Sequence, residues 1–313
     1  MTSPLVVVLL VLLAAVLHAC WNALVKIGGD RLMSTAMIAL LSGAVILPFL
    51  PFVTPPASPS WPFIFGSVVI HFGYYYGLSR MYETGDFSLV YPLARGLSPL
   101  LVAILAALIG GEVLSGIQLL GVSLVSPGIA SLMFGRGWPR GDHRTSILFA
   151  GFTCLTIAAY SLCDGFGVRR TQSSLGYIVW LFAIHSIPFV IFAWTRRKQL
   201  LVGYIRKHWR PWLARAAMSA LAYGIVIWAL GQSAMAGVVS LRETSVIFAA
   251  AIGALFMGES FGRWRVAAAV MVAVGNLLIH LQRTTRRSLA AIGMVRAGID
   301  ALVPKRLSAA PMH

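Results

Sequence analysis

The chain has 313 residues, of which 58% are hydrophobic and only 11% charged, where a soluble domain carries roughly 25% charged residues. That balance excludes a water-soluble globular protein and leaves a polytopic membrane protein. The net charge of +16 does not indicate nucleic acid as a partner, because the basic residues gather in short runs, "RRKQLLVGYIRKHWR" (196–210) and "RTTRR" (283–287), the usual flanks of membrane helices facing anionic lipid.

Apolar stretches long enough for a ~30 Å hydrocarbon core recur at about 5–26, 33–53, 62–82, 87–109, 116–134, 146–168, 175–194, 211–232, 237–257 and 264–281. Backbone groups in lipid must be satisfied within the segment, so these read as ten helices joined by short loops, 195–210 among them. The first contains "LHAC" (17–20), which looks like a lipoprotein processing site. The start "MTSP" has no basic side chain, however, and "WNALV" continues the apolar run, so the segment is expected to stay as a helix. Within it His18, Asn22 and Lys26 form a stripe at four-residue spacing that must face protein or a wet cavity. Lys26 reads as a snorkelling flank.

The third helix carries His71, Tyr74, Tyr75 and Tyr76. His71, Tyr74 and Tyr75 share a face and are candidates to line a cavity; a tyrosine belt at the interface is the alternative. The fourth opens with "VYPLARGLSPL" (90–100). A charge at the bilayer centre costs at least ~2.5–3.5 kcal/mol, and Arg95 lies about 12 Å into its helix from Phe87. Tyr91, Arg95 and Ser98 share a face. Pro92 and Pro99 remove amide donors and are expected to break the helix and free carbonyls beside Arg95. In the sixth helix Thr156, Tyr160 and Asp164 form a second polar stripe, with a salt bridge from Asp164 to Arg169 or Arg170 as its plain alternative. Trp180, His185, Tyr223, Trp228 and Asn276, in the last four helices, read as packing or interhelical hydrogen bonds.

Several features read as structural. Cys20, Cys154 and Cys163 fall inside helices, which argues against disulfides and a cysteine metal site. Ala103 and Ala107, Ala250 and Ala254, and Gly253 would let helix backbones approach. Glu112 and Glu259 stand beside glycine at helix ends, in water or capping a neighbour. The tail from Ser288 to Val303 has apolar residues at helical spacing and reads either as an amphipathic helix on the membrane surface or as a floppy tail.

A repeat runs through the chain. Laying "RGLSPLLVAILAALIGGE" (95–112) on "RETSVIFAAAIGALFMGE" (242–259) pairs Arg95 with Arg242, Ser98 with Ser245 and Glu112 with Glu259. Earlier in each half His18 pairs with Tyr160 and Asn22 with Asp164. Each half holds five helices, an odd number, so the second would enter the membrane inverted relative to the first. Inverted repeats with a midplane site between them mark secondary transporters.

"LHACWNALVK" (17–26), "YPLARGLSP" (91–99) and "LRETSVIFAAAIGALFMGE" (241–259), in that order, resemble the EamA-type branch of the drug/metabolite transporter superfamily. The resemblance spans about residues 5 to 282 and implies ten helices as two inverted five-helix repeats, with export or exchange of amino acids, other metabolites or drugs. It does not imply one substrate.

The expected organisation is a first repeat at 1–134, a linker loop at 135–145, a second repeat at 146–282 and a basic tail at 283–313. The expected function is secondary active transport of a small polar metabolite, such as an amino acid or related anion or zwitterion, by alternating access. Substrate binding falls to Arg95, Arg242, Ser98, Ser245, Tyr91, His18, Asn22, His71 and Tyr75, and coupling to a proton or other ion gradient falls to Glu243 ahead of Asp164. No HExxH, GxSxG or P-loop motif occurs in the sequence, so neither an enzyme nor a cofactor is expected; a helper or receptor subunit is the rival reading, and an intramembrane enzyme the lesser one. The expected setting is the cytoplasmic membrane of a bacterium, as a monomer or homodimer. Loop charges pull both ways on which side the termini face: 196–210 against "VRR" (168–170) and the tail.

Overall fold

A computed structural model of the protein describes residues 3–26, 30–85, 87–134, 143–256, 262 and 264–280. Among them every regular element is helical and none is a strand. In chain order they are α1 (Pro4–Lys26), α2 (Arg31–Ile46), α3 (Trp61–Thr84), α4 (Phe87–Gly96), α5 (Ser98–Gly110), α6 (Gly116–Ala130), α7 (Arg144–Val168), α8 (Ser174–His185), α9 (Ile187–Gln232), α10 (Met235–Arg242), α11 (Ser245–Phe256) and α12 (Trp264–His280). Seven helical stretches of the described residues are long and apolar enough to cross a membrane, which makes this an integral multi-pass membrane protein. The Lys26 side chain, the loop 135–142, Glu259 and the tail from 281 lie outside the described residues.

Side-chain pattern explains how the helices sit. On α1, Leu5, Leu9, Leu13 and Val16 face outward, while Val7, Val11, Ala14 and Ala15 are buried; the two stripes follow helical periodicity, one turned to lipid and one to protein. α3 packs along α7, and both α1 and α2 pack along α9. α6 and α12 meet backbone to backbone: a Cβ on Gly121 would stand 2.6 Å from the Gly275 carbonyl, and one on Gly275 the same distance from that of Gly121. Close approach of this kind replaces side-chain interdigitation where no water drives helices together. The alanines expected to do this work differ: Ala103 is buried, but Ala107 faces outward.

Two expectations about helix breaks need correction. Pro92 sits inside α4 without ending it; the interruption comes at Leu97, just before Pro99, which as expected has no amide to donate back to the Arg95 carbonyl. The segment 195–210 is not a loop. It is helical within α9, interrupted only at Arg197 (φ −148°, ψ 52°). Leu201 and Trp212 are buried against α2 residues such as Met33 and Met37, while Arg206, Lys207 and Arg210 face outward. Summed charge hid an amphipathic helix.

Two ion pairs tie opposite ends of the bundle. Arg197 meets Asp30 at 2.6 Å where α2 begins, and Asp30 also caps that helix by accepting from the Met33 amide at 3.0 Å. At the other end Gly111, with φ +64°, ends α5 in the left-handed conformation. The turn delivers Glu112 to Arg169, 2.6 Å away.

Candidate functional site

Two broken helices meet at the centre. α4 and α5 part at Leu97; α10 and α11 part at Glu243 and Thr244. Arg95 and Arg242 each occupy the last turn before the break. Hydroxyls take up carbonyls that the breaks release: Ser98 Oγ donates to the Arg95 carbonyl at 2.9 Å, and Thr244 Oγ1 to that of Leu241 at 2.6 Å. Both guanidiniums are 3% exposed, and Glu243 between them is 0% exposed. Arg95 Nε donates to Glu243 Oε2 at 2.6 Å. Arg242 donates to Oε1 from Nε at 3.1 Å and from Nη2 at 2.8 Å. Pairing of this quality is what a buried charge requires.

Beside Arg242 lies a cavity of about 50 Å³, room for a few water molecules. His18, His71, Tyr75, Tyr160, Tyr223 and Arg242 form part of its wall, and it extends to Trp21 and Ile38. His71 stacks on Tyr160 with ring centroids 4.4 Å apart, and Arg242 Nη1 donates to the Tyr160 hydroxyl at 3.4 Å. Carbonyl oxygens can only accept, so the contacts from His71 Nδ1 to Ser67 O (2.9 Å) and from His185 Nδ1 to Leu181 O (3.2 Å) place the ring proton on Nδ1 in both histidines. His185 Nε2 then accepts from the Tyr75 hydroxyl at 3.1 Å. His71 Nε2 is left as an acceptor with no protein partner among the described residues.

The expected residues divide into groups. Arg242, His18, His71 and Tyr75 come together on the cavity wall, whereas Arg95 stands behind Glu243 and off that wall. The Tyr91 ring lies 5.8 Å from the Arg95 guanidinium carbon. Ser98 serves the break, and Asn22 Nδ2 donates to the carbonyl of His18 in its own helix at 2.8 Å. Ser245 is buried at the start of α11. Asp164 is 0% exposed and accepts from two tyrosine hydroxyls, Tyr177 at 3.1 Å and Tyr223 at 2.5 Å. Its expected salt bridge does not form: Arg169 turns to Glu112, and Arg170 donates to the Phe166 carbonyl at 3.0 Å and lies over Phe63. His185 and Tyr223, read as packing or interhelical hydrogen bonds, make such bonds to Tyr75 and Asp164 and in addition line the cavity. Trp180 packs on Trp61 as expected, and Asn276 Nδ2 donates to the Ser240 carbonyl at 3.4 Å.

The model of the EamA-like transporter family matches residues 5–134 and again 144–281. The chain belongs to the EamA-like transporter family. This family is one of transporters, and the double match means that the chain carries two EamA repeats. No curated protein matches the chain at a significant level. A solved structure described only as "Crystal structure of protein" aligns with a TM-score of 0.68 over 88% of this chain and 98% of its own, at 15% identity. At that identity the likeness shows that the two share a fold.

Proposed function

We propose that this EamA protein is a secondary active transporter of a small anion or zwitterion, working by alternating access between two inverted five-helix repeats in the cytoplasmic membrane of a bacterium. The observation that carries the reading is Arg242. It is buried beside a broken helix, faces a polar aromatic cavity, and has its repeat mate Arg95 at the matching break. Broken helices at the repeat interface are where transporters of this build hold their substrates. Helix packing supports a two-fold relation of the repeats: exchanging them turns the α3–α7 contact into that of α9 with α1, and the α4–α7 contact into that of α10 with α1, and all four pairs are in contact.

Access to the site is unequal. The cavity extends toward Trp21 and Ile38, in the half of the bundle where α1 ends and α2 begins. Toward the other end stand the Asp164–Tyr177–Tyr223 cluster and, beyond it, the Glu112–Arg169 pair. Transport requires this closed end to open as the first closes. An ion gradient drives the cycle through the two buried carboxylates, Glu243 foremost and Asp164 second.

Counterflow of labelled solutes into proteoliposomes containing the purified protein tests the reading. A panel of amino acids and small carboxylates is expected to include at least one solute exchanged by the wild type and not by Arg242→Gln. Absence of exchange for the whole panel would favour a helper subunit.

A further inference from the structure

Glu243 has no counterpart in the first repeat. Laying Arg242 on Arg95 sets it against Gly96, where a Cβ would stand 2.8 Å from the Ala130 amide nitrogen on α6. There is no room for an acid there. One carboxylate therefore serves two guanidiniums, and the buried cluster carries a net charge of +1.

The two arginines hold it differently. Arg242 directs both Nε and Nη2 at a single oxygen, Oε1, and also forms part of the cavity wall. Arg95 reaches the other oxygen through Nε alone, and its Nη2 is buried with no hydrogen-bond partner. A buried guanidinium N–H without an acceptor is costly, and here it adjoins the carboxylate already held by the same guanidinium. If Glu243 let go of Arg242, it could take Nε and Nη2 of Arg95 together, the two-pronged geometry that suits a carboxylate best. The orphaned donor is the second prong.

We propose that Glu243 is a built-in stand-in for the substrate: in the empty protein it fills the anion position of Arg242, and a substrate with one carboxylate-like negative charge binds by taking that position while Glu243 stays on Arg95. The word substrate rests on the transporter reading above; the anion site at Arg242 does not. A monoanion brings the cluster to neutrality. A dianion would leave buried negative charge in excess, and a neutral solute has nothing with which to displace a carboxylate.

The test uses acetate as probe on the purified full-length protein, following melting temperature against acetate concentration at constant ionic strength. Arg95→Gln with Glu243→Gln keeps the cluster at +1 but removes the competitor, so its acetate midpoint is expected to fall at least about tenfold below that of the wild type. Adding Arg242→Gln should abolish the response. Equal midpoints in the wild type and the double variant, or a response that survives Arg242→Gln, would overturn the proposal. Glu243→Asp offers a second test if the double variant does not fold. It keeps the charge but is too short to span both guanidiniums, and its midpoint should also fall; an unchanged or higher midpoint counts against the stand-in. If acetate behaves as expected and counterflow fails, the transporter reading falls while the anion site stands.

Discussion

Arg169, just past the end of α7, donates from Nη1 to Glu112 at 2.6 Å, and Glu112 accepts from the Met235 amide at 3.0 Å with its other oxygen. The same guanidinium donates from Nε to the Leu230 carbonyl at 3.0 Å and from Nη2 to that of Ser233 at 2.7 Å. One side chain thus ties the ends of α5, α7 and α9 to the start of α10. Arg169 is 31% exposed, so solvent screens the pair and its loss should cost only about 1 kcal/mol. The larger effect expected of Arg169→Gln is opening of this end. Amide hydrogen exchange across residues 233–238 should quicken relative to the wild type; equal rates would mean that the clasp is not the closing contact.

Arg242 and Arg95 are expected to separate under conservative substitution. Lysine cannot reproduce the planar fork. Arg242→Lys should weaken affinity for the exchanged solute about tenfold, near 1.4 kcal/mol, because Arg242 faces the cavity. Arg95→Lys should chiefly lower the melting temperature, because Arg95 faces Glu243. Affinity and melting temperature measured on the same preparations decide, and a larger affinity loss in Arg95→Lys would reverse the assignment.

Asp164 accepts from the hydroxyls of buried Tyr177 and half-buried Tyr223. Asp164→Ala leaves both without that acceptor, at about 1–3 kcal/mol each, and thermal unfolding should register the loss. Asp164→Asn retains a carbonyl oxygen and should recover much of it. The Asn variant then reports on coupling without gross damage to the fold. If Asp164 responds to the driving ion, gradient-driven accumulation should fall while counterflow persists. The same assay on Glu243→Gln ranks the two carboxylates, with the greater loss expected at Glu243.

Gly121 and Gly275 hold α6 against α12. Gly275→Val forces the backbones apart, since even a Cβ would lie 2.6 Å from the Gly121 carbonyl. Overpacking of this kind costs about 1–3 kcal/mol. The melting temperature should drop with no change in the acetate midpoint. A variant as stable as the wild type would show that this crossing relaxes freely.

The sequence by itself determined the class, the repeat and the residues whose oddity is local. Arg95 and Arg242 stand out because a charge in an apolar run is costly wherever the chain folds. His71 and Tyr75 stand out because helical spacing puts them on one face. What α9 does between 195 and 210 was also written there, as an amphipathic pattern that a sum of charges conceals. Partners were not. Glu243 bridges to Arg95 across 148 positions, Arg169 to Glu112 across 57, and Tyr223 to Asp164 across 59. Which acid meets which base depends on how whole helices cross and turn, and on steric facts such as the lack of room at Gly96. Only the tertiary structure could place Arg242 on the cavity and Arg95 behind the carboxylate, because the repeat makes the two arginines equivalent in sequence and packing makes them different.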